Sequence, residues 1–173
     1  IVRDKYFITL IRSVIGQQIS VKAAHSIWIK FSKKYKKISP DRISKENIKS
    51  LKKIGLSKQK SSYIKNIAYF FLKNKQRIKK WSNLNDDEII EDLISIKGIG
   101  VWTAEMFLMF CLGRSNIFPI KDLGLMKAIC TNYNKKMPIS KSFLKKLKNN
   151  WDPWCTVATW FLWRSIDPLP VNY

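Results

Sequence analysis

Leu93-Ile94-Ser95-Ile96-Lys97-Gly98-Ile99-Gly100-Val101-Trp102-Thr103-Ala104 is the stretch that decides the fold. Apolar residues at helical spacing, Ile89, Ile90, Leu93 and Ile94, lead into it, and an almost wholly apolar helix from Val101 to Leu112 leaves it. Between the two helices, a pair of glycines brackets a single isoleucine. Glycine permits the tight reversal and lets the backbone approach another molecule closely. Ile99 can plug the gap between the helices. The amides after the turn sit at a helix N-terminus and point outward, an arrangement suited to a phosphate. The same residues also fit a plain helix–turn–helix connection closed by a glycine cap.

Outward from this unit the helical period persists in both directions. Phe7, Leu10, Ile11, Val14 and Ile15 fall at i, i+3, i+4, i+7 and i+8. Ser20 is placed to cap a second helix carrying Val21, Ala24, Trp28, Phe31 and Tyr35. Ser44 can cap a third, with Glu46 in its first turn and Gly55 at its end. Ser57 opens a fourth, along which Ile64, Ile67, Ala68, Phe71 and Leu72 repeat the period. Asn85-Asp86-Asp87-Glu88 places acid at the start of the helix before the glycines, where the helix dipole favours it. Pro119 precedes a helix that starts near Asp122, and Ser140 begins a lysine-rich one. Asp152-Pro153 reads as N-cap and first position of a last helix, Trp154 to about Ile166. No alternating β pattern occurs. The expectation is an all-α protein of about eight to ten helices joined by short loops, in one domain spanning 1–173, with the hairpin at about 93–112.

The chain has 173 residues, enough for a sizeable core, and 46% are apolar. Lysine plus arginine number 33 against 12 acids, a net charge of +21. Such an imbalance points to a polyanionic partner, nucleic acid before an anionic membrane surface, although abundant Lys, Asn and Ile also accompany AT-rich coding. No apolar run has the length of a membrane span. The three cysteines, Cys111, Cys130 and Cys155, form no C-x-x-C pair and read as buried thiols in a reducing compartment. His25 is the only histidine, which leaves no His-built zinc site and reads as structural or exposed. The chain opens on Ile1 rather than Met, with a helix beginning almost at once; the expectation is missing N-terminal residues rather than a signal peptide.

Leu93 to Ala104 resembles the hairpin of the helix–hairpin–helix (HhH-GPD) DNA glycosylase superfamily. Ile15-Gly16-Gln17-Gln18-Ile19-Ser20, Gly55-Leu56-Ser57-Lys58-Gln59-Lys60, Phe118 to Leu125, and Trp151-Asp152-Pro153-Trp154 with Trp160 to Ser165 look like the DNA-3-methyladenine glycosylase II branch, in that family's order and over nearly the whole chain. No counterpart of the amino-terminal β-domain of larger bacterial members is expected within this stretch. The resemblance implies two helical lobes with a cleft between them and a base-excision repair activity on duplex DNA.

Asp122 follows the turn Pro119-Ile120-Lys121 and opens a helix. By position alone it reads as an N-cap. By resemblance it is the superfamily's catalytic aspartate. Glycosidic cleavage builds positive charge on the sugar, which a carboxylate can stabilise while it orients or deprotonates a water. Lys121 departs from the branch, where an acid commonly precedes the catalytic residue; its ammonium would either strengthen phosphate binding or oppose a cationic base. The lysine with which bifunctional relatives form a Schiff base is matched here by Trp102, so the resemblance implies a monofunctional enzyme that leaves an abasic site without cutting the strand. The iron–sulfur cluster of the endonuclease III branch lacks its cysteines, and no cofactor is expected.

The target nucleotide must leave the stack to be attacked. Alkylated purines are cationic, and an indole face stacks well on them. The resemblance places Trp102 and Trp163 at the base pocket, Trp163 as the stacking partner, with Met106 where some relatives carry an aromatic residue. Each tryptophan also reads as ordinary core. Gln17-Gln18, between the first two helices, would enter the minor groove and fill the vacated space; they also fit a plain polar loop. Lys97 stands where the family often has proline and can add a phosphate contact beside Gly98, Ile99 and Gly100. The carbonyls of Ile94, Ile96 and Ile99 match positions that hold a monovalent cation between hairpin and phosphate. Many lysines predict salt-dependent binding, with log affinity falling, for each tenfold rise in salt, by roughly 0.9 per phosphate neutralised. Lys33-Lys34, Lys36-Lys37, Lys79-Lys80 and Lys145-Lys146 read as solvated faces. Glu105, one turn into the hairpin's second helix, is the rival to Asp122; Asp86, Asp87, Glu88 and Asp152 read as helix-end acids.

The leading expectation is removal of alkylated purines, chiefly 3-methyladenine. The alternatives are a lesion-binding protein of the same fold that no longer cleaves, and a glycosylase for another base such as uracil or a deaminated purine. The expected partner is damaged duplex DNA, with no membrane, a monomeric protein, and a location in the bacterial cytoplasm with the nucleoid or in a eukaryotic nucleus.

Overall fold

A computed structural model describes residues 2–167. Among them are eleven α-helices and a 3-10 turn, with no strand. In chain order these are α1 (Val2–Gly16), α2 (Val21–Lys34), α3 (Pro40–Ser44), α4 (Ile48–Lys52), α5 (Lys58–Lys73), α6 (Lys75–Lys79), the 3-10 turn Trp81–Asn83, α7 (Asp86–Ile94), α8 (Val101–Phe110), α9 (Leu123–Asn132), α10 (Lys141–Trp151) and α11 (Cys155–Ile166). The chain forms two compact units, residues 1–104 and 105–173, and the division falls inside α8. The all-α class expected from the periodicity is the observed one.

The first unit is built on α1 and α5. Phe7, Leu10, Ile11 and Val14 of α1 are fully buried, as are Ile64, Ile67 and Ala68 of α5. Each of these side chains except Ala68 contributes about 1.5–3 kcal/mol of burial. The Phe7 and Phe71 rings meet at 5.2 Å, and Trp81 meets Phe71 edge-on at 5.8 Å. The buried Trp81 indole donates to Asp92 Oδ2 at 2.9 Å, an oxygen that also accepts Arg77 Nε at 2.9 Å. The core of the second unit is Leu125, Met126 and Ile129 of α9 with Leu147 of α10; Phe118, Phe143, Trp151, Leu162 and Trp163 pack against it.

Ser20, Ser57, Asn85 and Ser140 stand at N-caps, and Asn85 with Glu88 closes a full capping box. Two expected boundaries are corrected. Ser44 ends α3 instead of opening a helix; Ser39 caps α3 and Asn47 caps α4. Each of these helices is five residues long, too short to display a period. They and α6 raise the number of helices above the expected eight to ten. Asp152 is the C-cap of α10 rather than the N-cap of α11, which begins at Cys155; its carboxylate accepts Asn116 Nδ2 at 2.6 Å.

Candidate functional site

In the second unit, the segment before α9 is tied to the first turn of α11. Ile117 N donates to Thr156 Oγ1 at 2.9 Å, Thr156 Oγ1 donates to the Arg114 carbonyl at 2.7 Å, and Thr156 N donates to the Ser115 carbonyl at 2.9 Å. The chain then turns tightly, with Ile120 N bonded to the Phe118 carbonyl and Asp122 N to the Pro119 carbonyl, both at 2.9 Å. This delivers Asp122 in an extended conformation at the N-cap of α9. Its Oδ1 accepts the Leu125 amide at 2.6 Å and the Trp163 indole N–H at 2.9 Å. The local reading as an N-cap is therefore correct. The cap is also a half-buried carboxylate gripped by a side chain 41 residues away.

Trp163, expected as a stacking surface, directs its N–H at Asp122, and its ring stacks on Phe110 at 6.1 Å and 24°. Phe110 and Gly124 carry no signal of these roles in the sequence beyond their places in the apolar helix and in the Phe118–Leu125 motif. A Cβ at Gly124 would lie 3.1 Å from Asp122 Oδ1 and 3.4 Å from Trp163 Nε1, so glycine leaves this bond its room. Met106 is buried and Lys121 exposed. Glu105 is buried, at 9% exposure, and its Oε2 is sealed without a hydrogen-bond partner. Burial pushes its carboxyl up to about 7; the Lys121 ammonium opposes that rise and the Asp122 carboxylate adds to it.

In the first unit, the turn between α7 and α8 carries Ile99 buried at 5% exposure, and the Ile99 amide donates to the Ile96 carbonyl at 2.9 Å. Gly98 has φ +111°, and a Cβ there would meet the Tyr63 ring at 2.2 Å, so this position demands glycine twice over. Gln17 Nε2 donates to the Gly98 carbonyl at 3.1 Å, and Asn66 Nδ2 to the Lys97 carbonyl at 3.1 Å. Lys60 Nζ donates to the carbonyls of Ile15 and Gln17 at 2.8 and 2.6 Å, and burial lowers its pKa. Gln17 is thus a brace between the α1–α2 loop and the hairpin. Gln18 is exposed at φ +56°. Lys97 and Gly100 are exposed on the turn, and Trp102, in the first turn of α8, is 42% exposed. The bracing by Lys60, Tyr63 and Asn66 had no signal in the sequence beyond the Gly55–Lys60 motif. His25 is exposed, Cys155 is buried while Cys111 and Cys130 are only half-buried, none of the three is in a disulfide, and no group of three or more His, Cys, Asp or Glu suited to a metal occurs among the described residues.

The helical hairpin hinged on glycine in the first unit is the feature of a helix–hairpin–helix protein, and the second unit separately holds an aspartate that caps a helix under an indole N–H. Residues 11–153 match the HhH-GPD superfamily base excision DNA repair protein family, and the chain belongs to that superfamily. It is 34% identical over 155 residues to a DNA-3-methyladenine glycosylase of Saccharomyces cerevisiae, covering 84% of this chain and 52% of that one. It superposes on the crystal structure of a DNA-3-methyladenine glycosidase from Bacillus halodurans with a TM-score of 0.82 and 29% identity, covering 94% of this chain and 76% of the other. A 3-methyladenine DNA glycosylase of Schizosaccharomyces pombe, solved in complex with abasic DNA, gives 0.76 and 29%, covering 93% and 80%. The chain spans between 52% and 58% of the length of the first curated relatives it matches.

Proposed function

We propose that this chain hydrolyses the N-glycosidic bond of alkylated purines of the 3-methyladenine type in duplex DNA, leaving an abasic site. The observation that carries this reading is the Asp122 carboxylate, fixed through Oδ1 by the Leu125 amide and the Trp163 indole. Membership of a base-excision family and the named relatives support it.

Cleavage sends the electrons of the sugar–base bond into the departing base. An alkylated, cationic purine leaves as a neutral base, so departure needs no general acid. Positive charge grows on the sugar instead, and the Asp122 carboxylate stabilises it and accepts a proton from the attacking water. Trp102 in place of a lysine leaves water as the nucleophile, hence no strand cleavage. Met106 and Trp163 line the flipped base. Lys97, Gly98 and Gly100 receive a backbone phosphate on turn amides and the Lys97 ammonium, while the buried Ile99, its amide bonded to the Ile96 carbonyl, anchors the turn. Gln18 fills the gap left in the duplex while Gln17, bonded to Gly98, couples that loop to the hairpin.

A monovalent cation would strengthen the phosphate contact, held by the Ile94, Ile96 and Ile99 carbonyls. Ile94 ends α7, Ile96 and Ile99 lie on the turn that follows, and the Ile96 carbonyl, which already accepts the Ile99 amide, keeps its second lone pair. The protein would work as a monomer wherever duplex DNA is kept. No helix among the described residues is long and apolar enough to cross a membrane.

The test is release of free 3-methyladenine from methylated duplex. Asp122→Asn keeps an oxygen acceptor for both donors and removes the charge, so the rate should fall by about 10²–10³ while folding persists. Release that survives this substitution unchanged would exclude the mechanism. Release of uracil or hypoxanthine in preference to 3-methyladenine would reassign the substrate, and tight abasic-site binding without any release would make the chain a lesion binder.

A further inference from the structure

Helix α8 is apolar along its length apart from Thr103 and one acid, Glu105. That acid is buried at 9% exposure, with Oε2 sealed from solvent and lacking a hydrogen-bond partner. A position chosen for stability would carry leucine or methionine there, since an unpaired buried carboxyl oxygen is costly. Glu105 is the only charged residue of α8, and among the described residues the charged groups whose fields shift it are Lys121 and Asp122, adjacent on the turn into α9. Lys121 is the basic residue that stands where the resembled branch commonly has an acid.

We propose that Glu105 is a positioning residue acting through Asp122: with Lys121, it sets how much negative charge surrounds the Asp122 carboxylate when a sugar cation forms. The proposal rests on the excision reading of Asp122. A neutral Glu105 leaves the Asp122 carboxylate opposed by the Lys121 ammonium. An ionised Glu105 balances that ammonium and leaves the full charge of Asp122 to act on the sugar. Because the Glu105 carboxyl titrates at about 7, the site passes between these two states near neutrality. Lys121 favours the ionised state, which gives its departure from the family pattern a physical role.

The test uses the full chain and two duplexes, one carrying a pyrrolidine abasic nucleotide, cationic at neutral pH, the other its neutral tetrahydrofuran counterpart. In the native protein the ratio of affinities, cationic over neutral, should rise about tenfold between pH 6 and pH 8. Glu105→Gln should hold the ratio constant over that range. Lys121→Met, at an exposed position, should move the midpoint of the rise to higher pH. A purely structural Glu105 would alter neither slope nor midpoint. A ratio that climbs equally in Glu105→Gln, or that is flat in the native protein, overturns the inference. If the native chain still releases methylated base in that case, the excision reading stands alone. Failure to bind either duplex overturns both.

Discussion

Replacing Trp163 by phenylalanine separates the two services of this side chain. The indole N–H donates to Asp122 Oδ1 at 2.9 Å, beside the Leu125 amide at 2.6 Å, while the ring stacks on Phe110 with centroids 6.1 Å apart. Phenylalanine retains a ring for the stack and loses the donor. A hydrogen bond to a charged acceptor contributes about 1.5–3 kcal/mol, and half-burial of this pair puts it at the low end, so stability should fall by about 1–2 kcal/mol. The carboxylate then keeps the Leu125 amide and loses the restraint on its rotation. A loss of about 1.4–2.7 kcal/mol in transition-state stabilisation corresponds to a single-turnover rate roughly 10- to 100-fold lower. Excess protein acting on methylated duplex measures that rate, and its dependence on protein concentration gives the half-saturation point, which should move less than about threefold because the ring remains. In an Asp122→Asn background the same change should lower the rate by less than about threefold more, since the two residues act as one unit. A native rate with weakened half-saturation would show that the indole serves the base alone and would refute the orienting role. Fully additive losses with Asp122→Asn would refute it equally.

Gly98→Ala should cost about 3 kcal/mol in urea unfolding, combining a strained φ with collision against Tyr63; Tyr63→Ala in the same chain should recover the collision part only. Gly124→Ala gains helix propensity and should leave the melting temperature nearly unchanged, yet reduce base release at least about tenfold, because its Cβ would sit 3.1 Å from Asp122 Oδ1. Glu105 carries a folded-state pKa raised from 4.5 to about 7, so its contribution is complete below 4.5 and is lost as pH rises through 7. Thermal unfolding should therefore show stability declining over that window by on the order of 1–3 kcal/mol, and Glu105→Gln should flatten the decline.

What lies within a turn or two of sequence was legible. The caps at Ser20, Ser57, Asn85 and Ser140, the buried faces of α1 and α5, and the glycine hinge all depend on neighbours three or four residues away, so local spacing encodes them. Asp122 as the residue opening α9 was legible for the same reason. The short helices α3, α4 and α6 offer no full period, and Asp152 looked like an N-cap because the carboxylate it presents is chemically the same whichever helix end or side chain it serves.

Only the tertiary structure decided the rest. Gln17 reaches a carbonyl 81 positions away, and Trp163 reaches a carboxylate 41 positions away. Glu105, on an otherwise apolar helix, became a buried acid with a sealed Oε2 that feels the charges of a lysine and an aspartate 16 and 17 positions on. Whether a side chain bonds, stacks or is buried depends on which distant segment packs against it. No neighbour in sequence carries that information, and in a chain whose polar atoms have many alternative partners it is fixed only once the helices close on their cores.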